Sequence, residues 1–175
     1  MLYFAITNNL TEKEMTTEID LTNLKWTKNV NHPDIEIYWA YEHDQIRYPF
    51  LFPEFKLHWR KGYEQNAERP QKGDMLLLRQ RTKVTHLVTI LDDKPDSEDN
   101  GDYTIFRRVQ LLWMEKEPWD KAPHQDDVFG FDVELPRNGK VMDLENIKDL
   151  ASHFNPLGGI SAFHEQVIQA LGLGK

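Results

Sequence analysis

The stretch from Gln71 to Leu91 limits the fold more than any other part of this chain. Gln71-Lys-Gly-Asp74 is a turn signal, because glycine frees the backbone and aspartate bonds nearby amides. Met75-Leu-Leu-Leu-Arg79 follows as an apolar run of strand length. Arg81-Thr-Lys83 is a short turn, and Val84-Thr-His-Leu-Val-Thr-Ile-Leu91 is its β-branched partner. The spacing predicts two buried, paired strands.

Other segments extend a strand-rich reading. Leu2–Ile6 is a first strand. Ile35–Tyr41 alternates, with Ile35, Ile37, Trp39 and Tyr41 on one face. The prolines of Tyr48–Phe55 argue for an irregular segment packed by its aromatics. Tyr103–Met114 is a long strand, with Tyr103, Ile105, Val109, Leu111 and Trp113 sharing a face. Phe129–Leu135 is another, ended by Pro136 and the turn Arg137-Asn-Gly139. Thr11-Glu-Lys-Glu14 has capping-box spacing.

Two helices close the chain. Asp143 caps the first, whose stripe is Leu144, Ile147, Leu150, Ala151 and Phe154; Pro156-Leu-Gly-Gly159 ends it. Ser161 caps the second, which buries Phe163, Val167, Ile168 and Leu171 and stops at Gly172. Consecutive strands outnumber helices. The expected fold is therefore α+β: a mostly antiparallel β-barrel with peripheral and C-terminal helices. It is read as one domain over 1–175, with a barrel core over about 1–135 and a helical end over about 143–172.

The chain has no cysteine, which excludes disulfides, thiolate metal sites and a cysteine nucleophile. Met1–Ile6 is apolar without a basic leader, and no run is long enough to span a membrane, so a cytoplasmic protein is expected. A net charge of -8 disfavours broad electrostatic binding to nucleic acid. The charges are uneven, however. Asp92–Asp102 is densely acidic and reads as a solvated loop, while Arg47, Lys56, Arg60, Lys61, Arg69 and Lys72 allow a local basic face.

Lys72-Gly-Asp-Met-Leu-Leu-Leu78, followed by Val84–Leu91 and the long strand after a variable loop, resembles the PUA-like superfamily. The similarity is to its EVE-type branch, a relative of the YTH and ASCH modules, and covers roughly the first two-thirds of the chain. The resemblance implies a small pseudobarrel. It also implies binding of RNA or a modified base in an aromatic-walled pocket between barrel and helices.

Five tryptophans, Trp26, Trp39, Trp59, Trp113 and Trp119, are many for this length. Most such rings fill cores, but a base stacked on one gains roughly 1–3 kcal/mol. Trp39, Tyr41, His58, Trp59, Arg79 and His86 offer the mixture of rings and polar groups that a base pocket needs. Arg79 and Arg81 suit either a phosphate or a surface carboxylate. His86, on the face of Val84, Val88 and Ile90, suits a hydrogen-bonded core position. Arg107 interrupts an apolar face and needs a partner or a wet cavity.

Catalytic and metal signatures are missing. His164-Glu-Gln-Val-Ile168 starts like a zinc-peptidase helix but has Ile168 where the second histidine must lie. His124-Gln-Asp-Asp127 offers groups that can bind a cation but reads as a solvated loop. No catalytic residue, metal or cofactor is assigned. The leading expectation is a non-catalytic module that recognises a nucleotide or modified nucleobase. The rivals are a protein-interaction domain, which the acidic segment favours, and a hydrolase or nuclease built on Asp44, His58 and Arg79.

Overall fold

The computed structural model describes residues 18–30, 39–40 and 53–174 as a mixed α+β fold. Leu2–Ile6, Thr11–Glu14 and most of Ile35–Tyr41 and Tyr48–Phe55 lie outside the described residues. The strands are β1 (Leu24–Asn29), β2 (Glu54–Trp59), β3 (Met75–Gln80), β4 (Lys83–Ile90), β5 (Asp96–Ser97), β6 (Ile105–Met114) and β7 (Val141–Asp143). The α-helices are α1 (Glu64–Glu68), α2 (Gln125–Phe129), α3 (Leu150–Phe154) and α4 (Ile160–Leu171). None is long and apolar enough to cross a membrane.

The strands form one seven-stranded sheet in the order β2-β6-β4-β3-β1-β7, with β5 added to β6. All pairings are antiparallel except β1 with β3. The sheet curls into a half-barrel, because its concave side chains converge: Trp26, Trp59, Leu76, Val88, Val109 and Val141 share one core. On the convex side Leu24, Leu77 and Leu87 pack against Phe129, Phe154, Phe163 and Val167 of the helices. Covering both faces explains why Met75–Leu78 is continuously apolar rather than alternating. Burying each such leucine contributes about 2 kcal/mol.

Three irregularities redirect side chains. In the β1–β3 pairing Leu24 faces Met75 and Trp26 faces Leu76, so the bulged Lys25 sends Leu24 and Trp26 into different cores. In β3–β4, Leu78 pairs with His86 but Arg79 with Val84, which leaves Thr85 as the extra residue. This corrects the expected face: His86 shares a side with Val88 and Ile90, whereas Val84 belongs to the convex core. In β4–β6, Leu87 pairs with Trp113 and Val88 with Leu111, so Leu112 is extra and Trp113 leaves the face of Ile105, Val109 and Leu111.

Other expectations also change. Phe129–Leu135 is not a strand. His124 caps α2, Gly130 ends it at φ +80, and Phe129 packs on Phe163 at 5.4 Å. Side chains replace a ladder beyond it: Val133 donates to Asp126 (3.1 Å) and accepts from Gln125 (3.2 Å). His124 to Asp127 is therefore a helix start, not a solvated loop. Asp143 caps only a 3₁₀ turn, Leu144–Asn146, and Asp149 at φ +66 separates it from α3, yet Leu144, Ile147, Leu150 and Phe154 all stay buried. Gly159, not Ser161, precedes α4, and Gly172 ends it in the left-handed region as expected.

The acidic segment is ordered against the protein. Asp92 receives Arg107 Nε (2.6 Å) and the Arg108 amide (2.7 Å). Glu98 bridges Lys56 and His58 (2.7 Å to the latter), and Asp102 lies 3.8 Å from Arg60. Acids of this loop thus neutralise part of the expected basic face.

Candidate ligand-recognition site

The β3–β4 turn organises the site. Arg81 and Thr82 both adopt positive φ, 49° and 65°. A two-residue loop of this kind matches the twist of its strands, but glycine or asparagine usually fills it. A β-branched threonine there is strained, and such strain concentrates at functional positions. The result is that the Arg81 guanidinium lies over the Trp39 ring, 5.0 Å from its centre.

Behind this pair runs a buried polar chain. Gln80 Oε1 accepts from the Ala40 amide (2.6 Å), and Gln80 Nε2 donates to Thr85 Oγ1 (3.0 Å). Thr85 Oγ1 is 2.8 Å from His86 Nδ1. The Thr85 hydroxyl therefore links the Gln80 amide to the His86 ring. The bulge at Thr85 is what brings its hydroxyl and the His86 ring to the same place.

Aromatic rings surround the chain. Trp119 meets His86 edge-on at 5.0 Å and Trp39 at 5.8 Å, while Phe55 lies 6.0 Å from His86. Trp119 and His86 are buried; Trp39 and Phe55 are half-buried. The cluster thus sets two half-buried rings, Trp39 and Phe55, beside a chain of polar groups that are themselves buried.

The six expected residues divide. Trp39 and His86 join this cluster. Tyr41 lies outside the described residues. Trp59 is fully buried in the concave core, where its indole donates to Asn66 Oδ1 at 3.0 Å. His58 sits on the sheet's edge strand with Glu98. Arg79 is 1% exposed and bonds Thr27 Oγ1 (3.0 Å), Gln125 Oε1 (3.1 Å) and the Pro136 carbonyl (3.2 Å), so it makes no surface ion pair. Two strands separate it from β2, which parts the expected His58 and Arg79 of a hydrolase; Asp44 is outside the described residues.

Gln80 and Thr85 escaped the sequence reading, and Trp119, named there among the tryptophans, was not placed in the site. Their roles depend on a bulge and on a 3₁₀ turn at Trp119–Lys121, neither of which has a periodic signature. The Gly-Asp motif proves structural. Asp74 accepts from Lys25 Nζ (2.8 Å), Trp26 Nε1 (2.8 Å) and the Gln71 amide (2.9 Å). Burial opposes its ionisation, but these bonds and the Lys25 charge outweigh that and lower its pKa.

Two cavities of about 420 Å³ each flank the start of α4. None of the expected residues lines them; of their charged groups, Lys25 is engaged by Asp74, Asp143 by the Glu145 amide and Asp20 by Thr22. Among the described residues no acid and histidine group is arranged to hold a metal.

Comparison with protein-family models, curated proteins and solved structures finds no match for this chain.

Proposed function

We propose that the protein is a non-catalytic recognition module that holds a nucleotide or modified nucleobase against Trp39. The half-buried Trp39, braced by Trp119 and Arg81 beside the Gln80–Thr85–His86 chain, carries this reading. An indole face stacks on any base, and the bond from the Ala40 amide to Gln80 fixes the backbone beside Trp39. The curled, mostly antiparallel sheet agrees with the coarse barrel that the resemblance to the PUA-like class and its EVE-type branch implies, and aromatic base recognition is the role that this resemblance carries. A cysteine-free chain suits a cytoplasmic setting. The acidic segment, engaged with Lys56, His58, Arg60 and Arg107, lends less support to a protein-interaction role than its sequence implied.

Titration of tryptophan fluorescence with plain and modified nucleotides tests the proposal. Saturable quenching is expected, weakened about 10- to 100-fold by Trp39→Ala, the equivalent of one stacking contact. Absence of quenching by every nucleotide at millimolar concentration would overturn it.

A further inference from the structure

Lys28 and Arg79 are each 1% exposed, and both lie near the carboxyl ends of the parallel strands β1 and β3. Buried charges are ordinarily paired with opposite charges. Arg107 obeys that rule: it is equally buried and bonds the Asp92 carboxylate. Lys28 and Arg79 do not. Lys28 Nζ donates to the Gly139 carbonyl, with the Asn29 carbonyl at 3.5 Å and the Trp59 ring centre at 4.7 Å. Arg79 bonds a hydroxyl, a side-chain amide and the Pro136 carbonyl. Among the described residues no carboxylate pairs with either cation.

The two cations are also close enough to repel. Arg79 acts on Lys28, and Arg137 acts on Arg79. Two buried positive groups therefore lie against one segment, Pro136–Gly139, which carries a third, Arg137. That segment is neither helix nor strand, and Pro136, Arg137 and Asn138 are exposed. The carbonyl oxygens of Pro136 and Gly139 stand where the oxygens of an anion would satisfy both cations and supply the missing charge. A planar guanidinium and an ammonium together suit a phosphate.

We infer that Lys28, Arg79 and Arg137 form a phosphate-binding site closed in this structure by the carbonyls of the 136–139 segment. A phosphate enters by displacing the Pro136 and Gly139 carbonyls from the cations, and the exposed Arg137 reaches it from outside. The site is independent of the Trp39 cluster. It takes the phosphate group itself, whether free or as part of a nucleotide.

The test is calorimetric titration with inorganic phosphate and pyrophosphate at pH near 6.5, at ionic strength fixed with chloride. A matched nucleoside without phosphate gives the base-only arm. Saturable binding of phosphate or pyrophosphate is expected. Arg137→Ala, an exposed change that spares the core, and Lys28→Met, which keeps the side-chain volume, are each expected to weaken it by about tenfold, one lost charge-assisted contact. Amide exchange at Gly139 is expected to rise on binding. Failure of both anions to bind in a saturable way up to about 10 mM, a range that includes weak millimolar sites, would overturn the inference; so would equal affinity in the wild type and both variants. Because inorganic phosphate has no base, these results leave the Trp39 reading to its own experiment, and nucleoside binding without phosphate binding would refute only this site.

Discussion

The side chain of Asn66 pairs with the backbone of Val141 as another strand would. Its Oδ1 accepts from the Val141 amide at 2.8 Å and its Nδ2 donates to the Val141 carbonyl at 3.0 Å. Asn66 follows β2 on α1, whereas Val141 opens β7, the strand at the other end of the sheet order. One amide thus clasps the two margins of the half-barrel, and Trp59 at the end of β2 donates to the same oxygen. Asn66→Leu removes the clasp and strands the buried Trp59 N–H and the Val141 groups. A loss of about 2–4 kcal/mol is expected by denaturant unfolding, from two or three orphaned groups, with faster amide exchange at Val141. A loss under about 0.5 kcal/mol would mean that the edges close without it.

Lys28 gives the molecule a distinctive pH dependence. Burial, helped by the Arg79 charge, lowers its pKa from 10.5 to about 7. Between those values the unfolded chain binds more protons than the folded one, so stability must rise with pH. The penalty is fully present below about pH 7 and relieved toward pH 10.5. Unfolding measured from pH 7 upward is expected to show a positive slope, at most about 1.4 kcal/mol per pH unit for one group. Lys28→Met is expected to flatten it; an unchanged slope in that variant would assign the effect elsewhere.

Asp74 acts in the opposite pH range. Its lowered pKa makes its contribution present above the ordinary value of 3.8 and lost as pH falls through the folded value. Asp74→Asn keeps the shape but removes the charge that holds Lys25 and Trp26. It is expected to cost about 2–3 kcal/mol at neutral pH, the scale of charged hydrogen bonds, and to reduce the acid dependence below pH 4. Full retention of that acid dependence in the variant would contradict the assignment.

Glu98 tests whether the acidic segment is held by charge. Hydrogen bonds from Lys56 and His58, followed by their charges, lower its pKa. Its hold on β2 is therefore expected to persist at pH 5 and fade below the ordinary 4.5. Glu98→Gln is expected to speed amide exchange over residues 96–104 several-fold while exchange in β3 stays unchanged. Equal exchange in the variant and wild type would show that backbone pairing with β6 suffices.

These consequences separate what the sequence could express from what it could not. The β3 and β4 strands were legible because their apolar, β-branched runs follow a turn whose glycine, Gly73, does adopt φ +87. Faces were legible only as far as strict alternation held. The extra residues Thr85 and Leu112 shift Val84 and Trp113 to the opposite side, and nothing in composition marks a bulge. Phe129–Leu135 has strand periodicity, but the His124 cap and Gly130 convert its start into a helix end. The charge of Asp92–Asp102 was visible, whereas its partners on β2 and β6 depend on contacts remote in sequence. For the site, Trp39 and His86 were found by residue type; Gln80, Thr85 and Trp119 needed the fold.

The central claim concerns where a base sits, and indole N–H resonances read that directly. In nitrogen–proton spectra of the labelled protein titrated with a bound nucleotide, Trp39 and Trp119 are expected to shift together and to saturate, while Trp59, bonded to Asn66, and Trp26, bonded to Asp74, hold their positions. Shifts confined to Trp26 or Trp59, or a spectrum unmoved by any nucleotide, would contradict the account.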